Sequence, residues 1–72
     1  MKSENMVHMA NQIAQFFQSY PHDKAVAGVA THIAQFWERR MKDQLFAYVA
    51  GGGEGLHALV LEATSRLKQP AK

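Results

Sequence analysis

An all-α fold, a small bundle of three to four helices, is predicted by three observations. Apolar residues recur at three- and four-residue spacing through most of the chain, the period of a helix that turns one face to a core. No stretch shows the two-residue alternation of a strand. Finally, Met9-Ala10-Asn11-Gln12-Ile13-Ala14-Gln15-Phe16-Phe17 returns twenty residues later as Val29-Ala30-Thr31-His32-Ile33-Ala34-Gln35-Phe36-Trp37. Two similar amphipathic helices, each closing on a bulky aromatic pair, are the simplest reading of that near-repeat.

The first helix is expected over about 4–19, with Ser3 as N-cap and Glu4 in the first turn, where its charge suits the helix dipole. Met6, Val7, Met9, Ala10, Ile13, Ala14, Phe16 and Phe17 fall on one half of the cylinder. After Glu4 the other half carries amides, Ser19 and His8 but no carboxylate, lysine or arginine. Exposed faces favour charge, so this neutral face suits hydrogen bonding at an interface, though a plainly solvated face stays open. Pro21-His22-Asp23 is the turn, with Asp23 as the expected cap of a second helix over about 24–37. Its apolar arc (Val26, Val29, Ala30, Ile33 and Trp37, flanked by Ala25, Ala27, Ala34 and Phe36) is too wide for one neighbour, and burial from two directions is expected.

Glu38-Arg39-Arg40 interrupts this pattern before Met41, Leu45, Tyr48 and Val49 resume it. Two arrangements remain open: a third helix over about 38–50, or one rod from Lys24 to Val49 about 40 Å long at ~1.5 Å per residue. Gly51-Gly52-Gly53-Glu54-Gly55 ends whichever forms. A last helix over about 56–68 aligns Leu56, Leu59, Val60, Ala63 and Leu67, and Gln69-Pro70-Ala71-Lys72 is expected to fray.

The chain has 72 residues, which is one domain spanning 1–72. A core of that size rarely supplies more than about 3–5 kcal/mol. With no cysteine, disulfides, thiolate zinc sites and iron–sulfur ligation are excluded. Support must therefore come from helix packing or from another chain. The net charge of +2 is too mild to argue for nucleic acid. No run is long enough to span a bilayer, and Met-Lys-Ser-Glu-Asn does not open a signal peptide. A soluble cytoplasmic protein is expected, with no membrane partner.

Chemistry is sparse. His8, His22, His32 and His57 include no i, i+4 pair and no His-Glu-x-x-His, so no metal site is expected. The glycine cluster lacks the Gly-Lys-Ser/Thr ending of a P-loop and follows no strand; a flexible turn explains it. Ser3, Ser19 and Ser65 fall at helix ends or exposed faces, and the six acidic residues show no convergent pair, so no catalytic residue is assigned. Arg39, Arg40 and Lys42 form a basic knot diluted by Glu38 and Asp43. Pairing with carboxylates or lying along aromatics suits it better than phosphate contact. The strongest constellation is aromatic: Phe17 and Trp37 as core plugs, Phe16 and Phe36 at the stripe edges, where interface roles are as reasonable.

Three segments carry a family resemblance: Met9 to Phe17; Ala30-x-His32-Ile33-x-x-Phe36-Trp37-Glu38-x-Arg40-Met41; and Gly52-Gly53-Glu54-Gly55-Leu56. In order and spacing, over about residues 4–67, the chain resembles the small delta subunit of soluble NAD-dependent, molybdenum-containing formate dehydrogenases. Relatives usually carry proline in place of Arg39, a residue easily exchanged at a helix's first position. The resemblance implies a non-catalytic accessory polypeptide that stabilises or helps assemble a cytoplasmic complex oxidising formate with NAD. It implies no cofactor in this chain, since molybdopterin, iron–sulfur clusters and flavin (FMN) belong to the larger subunits, the expected partners. The family has no catalytic motif to carry over. The expected contact surface comes from the face analysis instead: Phe16, Phe36, Trp37, Arg39 and Arg40 as anchors, with Gln12, Gln15 and His32 as polar contacts. Two rivals are a stand-alone helical regulator binding nucleic acid through Arg39, Arg40 and Lys42, and a helical protein that self-associates when isolated.

Overall fold

A computed structural model describes residues 2–67. Four helices follow in order: α1 (Ser3–Phe17), α2 (His22–Phe36), α3 (Arg39–Ala50) and α4 (Ala58–Arg66); the described residues include no strand. The expected last residue of the final helix, Lys68, and the expected fraying of residues 69–72 lie outside the described residues.

The helix starts differ from their expected caps. Ser3 is itself helical, Lys2 occupies the cap position, and the side chain there makes no capping bond. Met6 N–H instead donates to Lys2 O at 3.0 Å. Asp23 is likewise inside α2, whose cap position is Pro21. The ring of Pro21 fixes its φ near the helical value, so the chain enters the helix without help from a side chain. The Asp23 carboxylate lies 3.7 Å from the Arg66 guanidinium on α4. α1 ends at Phe17, short of the expected residue 19, and Tyr20 N–H closes the turn on Phe17 O at 2.9 Å. The residue before a proline is disfavoured in the helical region, so the reversal is complete by Tyr20.

Between the two arrangements left open after Trp37, the chain breaks. Trp37 and Glu38 are extended, Trp37 N–H caps α2 on Ile33 O at 3.1 Å, and α3 begins at Arg39. A rod of about 40 Å would overshoot a molecule whose longest extent is 31 Å, and the core would be left uncovered. Arg39 is the first helical residue, a place that proline also accepts.

α3 closes in a Schellman motif. Gly53 N–H donates to Tyr48 O at 2.9 Å and Gly52 N–H to Val49 O at 3.0 Å, the 6→1 and 5→2 bonds that satisfy the last carbonyls of a helix. The chain then needs positive φ, +124° at Gly52 and +64° at Gly53. A Cβ on Gly53 would stand 2.7 Å from Leu61 Cδ2, whereas Gly51 has ordinary φ and a Cβ there would meet Ala47 O and Tyr48 O at an unstrained 3.6 Å. Gly53→Ala is therefore expected to lower stability by about 1–3 kcal/mol, combining left-handed strain with displacement of Leu61. Gly51→Ala should change it by less than about 0.5 kcal/mol. Urea melts of both variants check the contrast; equal midpoints would contradict it.

The final helix starts at Ala58, two residues after the expected Leu56, because His57 caps it: Nδ1 accepts from Leu59 N–H at 3.0 Å. Asn11 clamps this corner to α1. Its Nδ2 donates to Gly55 O at 2.9 Å and its Oδ1 accepts from His57 N–H at 2.8 Å. Tyr48 Oη–H donates to Glu54 O at 2.7 Å, so the glycine loop is held from two helices.

Met6, Ala10 and Ala14 from α1, Val26, Val29 and Ile33 from α2, Leu45 from α3, and Leu59, Val60 and Ala63 from α4 meet in one core. The alanines let helix axes approach, since close packing leaves no room for larger side chains there. Facing α1 on one side and α4 on the other, α2 is buried from two directions, which accounts for its wide apolar arc. The His22–Glu62 contact at 2.8 Å and the Asp23–Arg66 pair at 3.7 Å tie the start of α2 to α4. Both pairs are exposed and add little stability.

Candidate partner-docking surface

The near-repeat places its aromatic pairs by simple geometry. Successive helical residues diverge by about 100°, so in each pair one ring turns inward and the other outward. Phe17 packs on the core and Trp37 is buried at 6% exposure, while Phe16 and Phe36 remain 68% and 70% exposed. The outward rings stand on opposite sides of a groove between α1 and α2. Its walls and floor are Met9, Gln12, Ile13, Phe16, Phe17, His32, Phe36 and Trp37, and it encloses about 580 Å³.

Each wall is braced by aromatic contact. The Phe16 ring meets Phe17 edge-on, with centroids 5.0 Å apart, and Phe17 leans on Tyr20 at 5.5 Å. On the facing helix the His32 ring lies against Phe36 at 4.8 Å. Such pairs restrict ring motion in advance, which lowers the entropy cost of binding something against them. Gly28 makes room for this arrangement, since a Cβ there would fall 2.5 Å from the Phe17 ring. Around the corner, a shallower hollow of about 390 Å³ shares Phe17, His32 and Phe36 and adds Gly28, Thr31 and Gln35.

Of the residues expected at a contact surface, the structure brings Gln12, Phe16, His32, Phe36 and Trp37 together in the groove. Gln15 is exposed on α1 and does not line it. Arg39 and Arg40 are exposed on the first turn of α3 and stand apart from its lining. Arg39 reaches Asp43 at 3.9 Å, one turn on, and Lys42 Nζ donates to Ala34 O at 3.3 Å. The basic knot is thus partly turned onto its own fold. Trp37 joins the groove only as its floor, being at the same time a core residue. Met9, 36% exposed, and Ile13 belong to the lining although periodicity assigned both to the core stripe. Gln35, the repeat counterpart of Gln15, belongs to the second hollow. Asn11, on the amide face, spends its hydrogen bonds within the chain.

The groove lining contains no lysine, arginine, aspartate or glutamate; His32 is its one titratable side chain. Among the described residues, no group of three or more histidine, aspartate and glutamate side chains gathers as a metal site would, and no helix is long and apolar enough to cross a membrane. What the arrangement offers chemically is an aromatic, uncharged concavity with an amide and an imidazole at its edge, the make-up of a binding hot spot.

A family model described as "NADH-dependant formate dehydrogenase delta subunit FdsD" matches residues 5–64. No curated protein and no solved structure matches the chain.

Proposed function

The chain belongs to the FdsD family of NADH-dependent formate dehydrogenase delta subunits, and we propose that it serves as a non-catalytic accessory subunit, stabilising or helping to assemble a cytoplasmic formate dehydrogenase complex. Its α1–α2 groove receives a larger subunit. In this reading the molybdopterin, the iron–sulfur clusters and the FMN reside in those larger subunits, and this chain contributes surface.

The single observation that carries the reading is the pair Phe16 and Phe36, each about two-thirds exposed across an uncharged groove. Burying one such ring against a partner contributes about 1.5–3 kcal/mol. Two rings, pre-positioned by Phe17 and His32, make a hot spot. Gln12 and His32 supply polar contacts at its edge, while Gln15, Arg39 and Arg40 lie outside it.

The test is co-expression of the tagged chain with the larger formate dehydrogenase subunits, followed by washing at rising salt. An apolar contact without ionic pairs is expected to persist to about 1 M salt, where exposed ion pairs are screened. Failure to co-purify at any salt overturns the subunit role. Loss of the complex between low and moderate salt would instead favour contacts through Arg39, Arg40 and Lys42.

A further inference from the structure

We infer that, when the larger subunits are absent, a second copy of this chain covers the α1–α2 groove, forming a two-fold dimer that must part before the chain docks. The second half of this inference rests on the docking role proposed above; the dimer itself does not.

A two-fold contact brings one patch against its own copy, so the patch must be self-complementary in shape and charge. Shape is met because hollow and projections share a face: a groove of about 580 Å³ is flanked by Phe16 and Phe36, exposed at 68% and 70%. A ring of one copy can fill the hollow of the other while the reciprocal ring does the same.

Charge is met because none of the lining side chains is lysine, arginine, aspartate or glutamate. A charged patch meeting itself opposes like charges, at a cost of several kcal/mol; a neutral one does not. The repeat supplies the third condition. Phe16 and Phe36 hold equivalent places in the duplicated segment, so each of the two helices contributes one outward ring to the groove. Crossing two copies sets Phe16 of one against Phe36 of the other, an aromatic pairing that occurs twice per dimer.

Sedimentation of the isolated full-length chain over a wide concentration range tests this. The expected result is a mass that doubles as concentration rises, with Phe36→Asp and Phe16→Asp each raising the dissociation constant at least tenfold. Both variants should melt like the wild type at concentrations where the latter is monomeric, since neither ring is part of the buried core. Amide chemical-shift changes on dilution should centre on Met9, Gln12, Phe16, His32 and Phe36. A monomer at every concentration, a dimer insensitive to both substitutions, or shifts centred on α3 and α4 would overturn the inference. The two readings fail separately: a monomer that still co-purifies with the larger subunits removes the dimer alone. A dimer that larger subunits bind without separating removes the shared groove.

Discussion

Replacing Trp37 by alanine is expected to lower the melting temperature of the isolated chain by more than about 10 °C. The indole is 6% exposed and sits where α2 ends, where it joins the core and forms the floor of the groove. Removing a buried tryptophan costs about 3–5 kcal/mol, and in a domain of this size each kcal/mol shifts the melting temperature by roughly 4–8 °C. A bundle of this length has only about 3–5 kcal/mol to lose, so much of the variant should be unfolded near room temperature. Trp37→Phe, which keeps a ring at the site, should lose markedly less. The comparison by far-UV circular dichroism is decisive: a fall of under about 3 °C for the alanine variant would show that the indole anchors neither core nor groove.

The same residue shows what could be read from the chain and what could not. Helical periodicity placed Met6, Ala10, Ala14, Val26, Val29, Ile33 and Leu45 on inward faces, where they are buried, because a 3.6-residue period is a local property written into spacing. The break after Trp37 was not legible. Nothing between Trp37 and Met41 is glycine or proline, and the decision is tertiary: a continuous rod would overreach the body of the molecule. Caps were misplaced for a related reason. Asp23 has a good capping side chain, but the turn at Pro21 and an approaching Arg66 decided its neighbourhood; Ser3 was taken into α1 behind Lys2, and His57, a less favoured cap, took the role at α4.

The groove was half legible. An aromatic pair at a helix end must split, one ring in and one out, so the outward Phe16 and Phe36 follow from the repeat. That they face each other across one concavity follows only from how α1 and α2 pack. Met9 and Ile13 were hidden because a stripe residue at the edge of its arc is core or surface according to how closely the next helix approaches. Arg39 and Arg40 were expected at a contact surface from residue type alone; the extended residue Glu38 and the start of α3 set them outside the groove lining. Asn11 carried no signal, since its partners Gly55 and His57 lie more than forty residues away.

The central claim, that the chain docks through exposed rings which its own fold does not need, is tested most directly by Phe16→Asp/Phe36→Asp. A carboxylate at each site would have to be desolvated against an apolar partner surface, costing several kcal/mol per charge when unpaired. Because both rings are already about two-thirds in water, their loss should disturb the isolated fold little, by about 1 kcal/mol or less. The measurement is co-purification of the double variant with the larger formate dehydrogenase subunits, alongside its melting curve. The expected result is a folded chain, melting within a few degrees of wild type, that no longer accompanies them. A folded double variant that still travels with the larger subunits undiminished would contradict the account.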